Sequence, residues 1–330
     1  MRYRVFGKLG WSISEIGFGA WAIGGDMWGP QDDAASLGAL NRALDLGFNF
    51  FDTAQGYGKG HSEELLGRLP NEAKERIFIA TKVPPFPGSP WPLPEDCSAA
   101  DYFPPSYIIS ECEKSLRRLA RDHVDIYQFH TWASAFNTEN GWYEAMMRLK
   151  EQGKIRAVGV SVPDTTPENV IGALALAKVD SVQVIFNIFE QSPRWNLFPL
   201  CKKLGIGVIV RVPFDEGALT GKFTTATVFP EGDVRNNYFR GRNLQAVVKR
   251  VERIQQYRRQ FHPTISMPGL ALRFCLSDPA VSTVIPGIRT IAQAEMNAAA
   301  SDGDLLSSAD LKRLEEFHWK KDFWHTEVDE

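Results

Sequence analysis

Residues 48–57 read Phe48-Asn49-Phe50-Phe51-Asp52-Thr53-Ala54-Gln55-Gly56-Tyr57. An apolar run stops on a carboxylate, and a short loop carries the chain to a tyrosine. The run lacks the polar alternation of a half-exposed strand, so it reads as a strand covered on both faces. Similar runs recur along the chain. Strands are predicted at Glu15–Phe18, Phe48–Asp52, Ile77–Lys82, Val124–His130, Ala157–Ser161, Ser181–Phe186, Gly207–Val212 and Ser282–Ile285. Between them lie helical patterns at Ala34–Leu46, Ser106–Leu119, Gly141–Gln152, Leu197–Leu204 and Leu244–Gln260. Ser62-Glu63-Glu64 and Thr166-Pro167-Glu168 add helix-start signals, a capping hydroxyl followed by acids or a first-turn proline.

Eight strand-helix units in one chain predict an α/β fold of the (β/α)8 TIM-barrel type, a single domain over residues 1–330. Arg4–Lys8 and Ser12–Ile16 flank a turn at Leu9-Gly10-Trp11, which predicts an N-terminal β-hairpin. Leu311–Phe317 predicts an extra helix beyond the barrel. The rival fold is a doubly wound sheet, which wants G-x-G-x-x-G after its first strand. Here that stretch is Gly17-Phe18-Gly19-Ala20-Trp21-Ala22, without the third glycine.

The chain has 330 residues, is 44% hydrophobic and carries a formal net charge of -3, with pI ≈ 6.1. That length can bury a large core without staples. The charge balance gives no reason to expect nucleic acid or an anionic membrane as partner. MRYRVFGKLGW has no apolar h-region, and no apolar run reaches membrane-spanning length. Cys97, Cys112, Cys201 and Cys275 form no CxxC pair, so a reducing cytoplasmic setting is expected. The other histidines, at 61, 123, 262, 318 and 325, form no H-x-H or H-E-x-x-H pattern, which disfavours a metal-dependent barrel hydrolase.

In a barrel the reactive groups stand at the carboxyl ends of strands. Asp52, Lys82, His130 and Ser161 fall there, with Gln183 within strand six and Arg211 near the end of strand seven. A carboxylate and an ammonium closing adjacent apolar strands are costly unless paired. Gly56 and Gly58 would let the loop bearing Tyr57 fold back over the mouth. Hydride added to a carbonyl leaves an alkoxide that needs a proton. A phenol of pKa about 10 becomes a better donor when a nearby ammonium favours phenolate. Tyr57 would be that acid, Asp52 would fix Lys82, and His130 would orient the carbonyl. Asp52 with Lys82 could alone be a structural ion pair; Tyr57 and His130 beside them tip the reading toward chemistry.

FDTAQGYGKGHSEELLG (51–67), IATKV (79–83), DIYQFHTW (125–132), VGVSV (158–162), VIPGIRT (284–290) and Gln293…Asn297 together resemble the aldo-keto reductases. The resemblance runs from the hairpin to about Asn297. It implies Asp52, Tyr57, Lys82 and His130 as a catalytic tetrad, and NADP(H) held without a Rossmann domain, with NAD(H) as the alternative. It places Ser161 and Gln183 at the nicotinamide carboxamide, and Trp21 and Asp52 among the cofactor-binding residues. Val212, Pro213, Phe214, Gly217 and Leu219 match the loop over the pyrophosphate, with Lys222 as phosphate partner. Gly287, Ile288 and Arg289 match the adenosine 2′-phosphate segment, and Gln293 and Asn297 lie near adenine and ribose. An arginine at the 2′-phosphate position favours NADP(H). Two departures stand out. Val162 replaces the usual Asn after Ser161, and Arg211 replaces an aromatic residue, so Arg211 is expected over the nicotinamide.

Trp21, Trp28, Trp91 and Trp132 are expected to wall a pocket for a small carbonyl or sugar substrate, with Phe86 as an alternative to Trp91. Residues 83–105, with eight of the chain's 20 prolines, read as a loop without helix or central strand. It either walls the site or is a solvated insertion. The connection 223–243, with Arg235, Arg240 and Arg242, is a solvated loop or a holder of an anionic or polyhydroxylated substrate. Trp319, Phe323 and Trp324 are further candidates to line the pocket. Activity would be carbonyl reduction; the alternatives are sugar or polyol oxidation and a non-catalytic cofactor-binding regulatory subunit. A monomer or small homo-oligomer is expected.

Overall fold

Runs covered on both faces can only be satisfied by parallel neighbours and helices outside them, and the chain adopts that arrangement. The computed structural model describes residues 1–328. Its strands are β1 (Tyr3–Phe6), β2 (Trp11–Ser14), β3 (Phe18–Gly19), β4 (Phe50–Asp52), β5 (Phe78–Val83), β6 (Val124–Phe129), β7 (Ile155–Ser161), β8 (Ser181–Ile185), β9 (Gly207–Arg211) and β10 (Thr283–Val284). Strands β3 to β10 pair in chain order, all parallel. The ring closes between β10 and β3, where Ile16 bridges Val284 and Gly19 bridges Gly287. This is a (β/α)8 barrel.

The hairpin β1–β2 pairs Phe6 with Trp11 and plugs the amino-terminal end of the barrel. Phe6 meets Trp11 and Phe50, and Trp11 stacks on Phe78 at 5.2 Å. On the outer layer Trp142 and Trp132 cross edge-on at 5.0 Å against Phe129 and Phe136. Each such buried ring contributes about 1.5–3 kcal/mol by removal from water.

Several elements differ from expectation for local reasons. Ser62 does not cap its helix, because Gly60 precedes it and the Ser62 hydroxyl is buried on Ala20 O at 2.8 Å. Thr166 likewise caps nothing: a 3-10 turn at Pro167–Val170 leads into a short helix at Ile171–Ala175. Within 83–105 a turn of helix forms at Ala99–Tyr102, where the prolines pause and the Ser98 hydroxyl accepts from Ala100 N. A helix at Met267–Leu276 escaped prediction, since all ten of its residues are buried and no polar face marks its period. The C-terminal helix, Ser308–Leu314, starts on a Ser307–Asp310 capping box. No helix among the described residues is long and apolar enough to cross a membrane.

Candidate active site

Strand register and the loop after β4 bring the four candidate residues together. Asp52 ends β4 beside Ala80, and Lys82 lies two residues further along β5. The Lys82 side chain is 0% exposed, so its charge needs dedicated partners. Its Nζ donates to Asp52 Oδ1 at 2.6 Å, to Thr53 O at 2.8 Å and to the Tyr57 hydroxyl at 3.2 Å. The ammonium has three donors, and all three are engaged. Asp52 Oδ2 accepts from Gln183 Nε2 at 2.6 Å and from Gln128 Nε2 at 3.2 Å. Gln183, expected at the nicotinamide, therefore reaches the Asp52 carboxylate. Gln128 was missed, although a lone amide in the apolar run of β6 was the signal.

Tyr57 opens a turn whose next residues are left-handed, Gly58 at φ 62 and Lys59 at φ 54. A side chain on Gly58 would lie 2.1 Å from Gly24 O. Backbone thus packs on backbone, and the loop is pressed onto the turn that follows β3. Gly56 has an ordinary φ of -70 and open space around it, so only Gly58 is needed for the fold-back.

Around the phenol the rings form an arc. Trp21 stacks on Tyr57 at 5.9 Å and meets Trp28 edge-on at 5.2 Å. His130 meets Tyr57 edge-on at 5.7 Å, and Trp91 meets His130 at 5.6 Å. Trp91 remains 59% exposed, so the proline-rich loop leans over the mouth without closing it. Phe86 turns away onto Tyr107. Trp132 is not brought to the mouth: it is buried behind His130 with its indole N–H on Asn137. Trp319, Phe323 and Trp324 pack under the 223–243 connection instead, against Tyr238 and one another.

The electrostatics assign protons. Burial raises the Tyr57 pKa above the ordinary phenol value, and Lys82 pulls the other way without winning. Proximity of an ammonium alone had suggested the reverse net direction. Burial opposes the charge on Lys82, but Asp52 and Tyr57 outweigh it and raise its pKa. Burial, then Lys82 and Arg211, hold the His130 pKa well below the usual range, so the imidazole is neutral. The resting site pairs a protonated phenol and an ammonium with a neutral imidazole.

The two departures touch each other. Arg211 ends β9, and its Nη2 donates to Val162 O at 2.9 Å and to Asp164 Oδ1 at 2.7 Å. Its Nε is buried without a partner, as are the indole nitrogens of Trp21 and Trp28. Ser161 ends β7 beside Gln183. Past Arg211, Val212, Asp215 and Glu216 are left-handed at φ 54, 49 and 54. Three strained non-glycine residues in one loop are held by surrounding contacts. Asn187 Nδ2 grips Val212 O at 2.9 Å, and Lys321 grips Asp215 at 2.5 Å. Pro213 and Leu219 are buried, Phe214 and Gly217 are partly exposed, and Lys222 is exposed.

On the far side, Gly287 bridges Gly19 with open space where a side chain would stand. Ile288 is buried. Arg289 donates to Trp28 O, Pro30 O and Gln31 Oε1 at 2.6–2.9 Å, tying the 28–31 loop down. Gln293 Oε1 accepts from Arg289 N at 2.7 Å. Asn297 is fully buried with both amide atoms unpartnered. Arg235 is neither solvated nor free: Asp233 holds it through Nε and Nη2, and it lies between the Trp28 and Phe229 rings.

Comparison with known proteins agrees with this geometry. Residues 15–318 match the Aldo/keto reductase family. The chain is 31% identical over 318 residues to Aldo-keto reductase YhdN of Bacillus subtilis, covering 95% of this chain and 92% of that one. It is 31% identical over 315 residues to the NADH-specific methylglyoxal reductase of Escherichia coli, covering 92% of this chain and 94% of that protein. The solved glycerol dehydrogenase AKR11B4 of Gluconobacter oxydans superposes with a TM-score of 0.78 at 28% identity, over 96% of this chain and 94% of that one. The chain belongs to the aldo/keto reductase family, oxidoreductases of carbonyl and alcohol groups.

Proposed function

We propose that the protein reduces an aldehyde or ketone to an alcohol with NADP(H), using Asp52, Tyr57, Lys82 and His130. One observation carries this reading: Lys82 Nζ touches Asp52 and the Tyr57 hydroxyl at once. The groups left without partners fit a dinucleotide. Trp21 Nε1, Arg211 Nε and both amide atoms of Asn297 lack acceptors or donors, and Gly287 leaves a cradle that a side chain would fill. A bound reduced nicotinamide would supply hydride to the carbonyl carbon. Tyr57 then gives its proton to the carbonyl oxygen, and Lys82 stabilises the phenolate left behind. His130, being neutral, can donate a hydrogen bond to the same oxygen without competing for the proton. Asp52, steadied by Gln128 and Gln183, keeps Lys82 charged.

Arg211 supplies positive charge beside the same mouth, within electrostatic reach of Tyr57 and His130. Lys222 and Arg289 are the cations offered to the cofactor phosphates. Three of the five N–H donors of the Arg289 guanidinium are engaged, leaving two for a 2′-phosphate. That remainder supports NADP(H) over NAD(H). A second reading, oxidation of a sugar or polyol, draws on the similarity to glycerol dehydrogenase and uses the same groups in reverse.

The test is direct. Purified protein is mixed with NADPH or NADH and a panel of reactive aldehydes, and with NADP+ and polyols. Carbonyl-dependent loss of NADPH is expected. Turnover only in the oxidative direction would favour the second reading. No turnover with any pair would leave a cofactor-binding subunit and overturn both.

A further inference from the structure

A cavity of about 860 Å3 opens at the amino-terminal end of the barrel, remote from Tyr57. Its wall comes from the connection before β5, the end of the helix Pro105–Leu119, and the starts of β6 and β7. That volume lies within the range of about 300–1,000 Å3 that holds small organic ligands.

Among its lining residues is a largely buried cation. The Arg121 side chain is only 7% exposed. Its contacts are long: Ile77 O at 3.4 Å, Asp125 Oδ2 at 3.5 Å and the His123 ring at 3.2 Å. Asp125 is bound more closely by others, through Arg156 at 2.6 Å and the Ile79 N–H at 2.8 Å. Two guanidinium groups, those of Arg121 and Arg156, therefore share the single buried carboxylate of Asp125, an excess of positive charge that an anion can balance. Burial depresses the Arg121 pKa.

Two more guanidinium groups, those of Arg76 and Arg117, stand exposed among the lining residues, and neither makes a salt bridge among the described residues. The lining carries five cations, Lys74, Arg76, Arg117, Arg121 and Arg156, against three carboxylates, Glu75, Asp122 and Asp125. Asp122 pairs with His123 and its side chain is 96% exposed, and Glu75 is exposed. Lys74 is buried, with its ammonium on Gly67 O and Ala120 O. Apolar side chains line the same wall beside these cations: Phe78, half-buried, stacked on Trp11 and under the Arg156 guanidinium at 5.8 Å, with Ile77 and Leu116. Cations set among apolar and aromatic side chains suit a ligand with both characters. Guanidinium forks match phosphate oxygens in pairs, and a dianion neutralises more of this excess than a single carboxylate.

We propose that this cavity binds a small organic phosphate, its phosphate held by Arg76, Arg117 and Arg121 and its apolar part resting on Phe78 and Leu116. The site is separate from the proposed cofactor cleft and does not depend on the chemistry assigned there.

The experiment is calorimetric titration of the whole chain, pre-saturated with NADP+, with phenyl phosphate and with inorganic phosphate at low ionic strength. Phenyl phosphate should bind at one site, at least tenfold more tightly than inorganic phosphate. The surface variant Arg76→Ala/Arg117→Ala should weaken phenyl phosphate at least tenfold while keeping the melting temperature. Lys222→Ala, at the other end of the barrel, should bind it as the parent does. Absence of binding at millimolar concentration overturns the proposal. So do equal affinities for the two probes, unaltered affinity in the double variant, or loss of binding in Lys222→Ala.

Discussion

Among the described residues the trio tyrosine, lysine and aspartate occurs twice. In the mouth, Lys82 bridges Asp52 and Tyr57 at 2.6 and 3.2 Å. Under the C-terminal tail, Lys321 bridges Asp215 and Tyr238 at 2.5 and 2.7 Å, and Tyr238 also donates to Asp215 at 3.0 Å. The distances are similar, but the surroundings are not. Tyr57 is partly open, with His130 and Trp91 beside it. Tyr238 is buried among Phe239, Phe323 and Trp324, and burial with Asp215 holds its pKa well above the ordinary phenol value. The Tyr57 hydroxyl accepts from its lysine and keeps its own proton to give; the Tyr238 proton is already committed to Asp215. On the proposed function, a charge trio becomes chemistry through access and an unspent proton, not through composition. The second trio fastens the tail over the strained 212–217 loop.

Removing each lysine separates the two roles. Lys82→Met should lower carbonyl-reduction kcat/KM by roughly 10²–10⁴-fold, measured as NADPH oxidation. Lys321→Met should keep kcat but leave Asp215 buried without its cation, at a cost of about 3–5 kcal/mol in denaturant unfolding. If Lys321→Met silences turnover at full stability, the division of roles fails.

Glu216 gives a finer probe of the tail side. Burial, then Asp215 and Asp164, push its pKa up to about 8. The folded protein therefore holds this proton more tightly than the unfolded chain does. Its contribution is complete below the ordinary glutamate range and is lost as pH rises through about 8. Glu216→Gln, which cannot titrate, should match the parent near pH 5 and exceed it by roughly 1–4 kcal/mol near pH 8. Parallel stability curves for parent and variant would show that Glu216 is not held protonated.

Much of this was legible in the sequence because the signals were local. Covered apolar runs gave the strands, and polar residues at their carboxyl ends gave Asp52, Lys82 and His130. The amides were half-legible: Gln183 stood out as a lone polar residue, but its partner Asp52 is 131 positions away. No local pattern joins Asp215 to Lys321, 106 positions apart, so the second trio could not be read. Val162 and Arg211 were each recognised as departures, yet only the fold sets the carbonyl of one against the guanidinium of the other. The direction of the Tyr57 shift required knowing its burial, which outweighs the neighbouring ammonium.

The central claim is that Tyr57, and not Tyr238, gives the proton. It is tested most directly by NADPH-dependent reduction of a reactive aldehyde in Tyr57→Phe and Tyr238→Phe, with cofactor affinity measured alongside. Tyr57→Phe should slow turnover roughly 10²–10⁴-fold while still binding cofactor, and Tyr238→Phe should turn over like the parent. An unchanged rate in Tyr57→Phe would contradict the account.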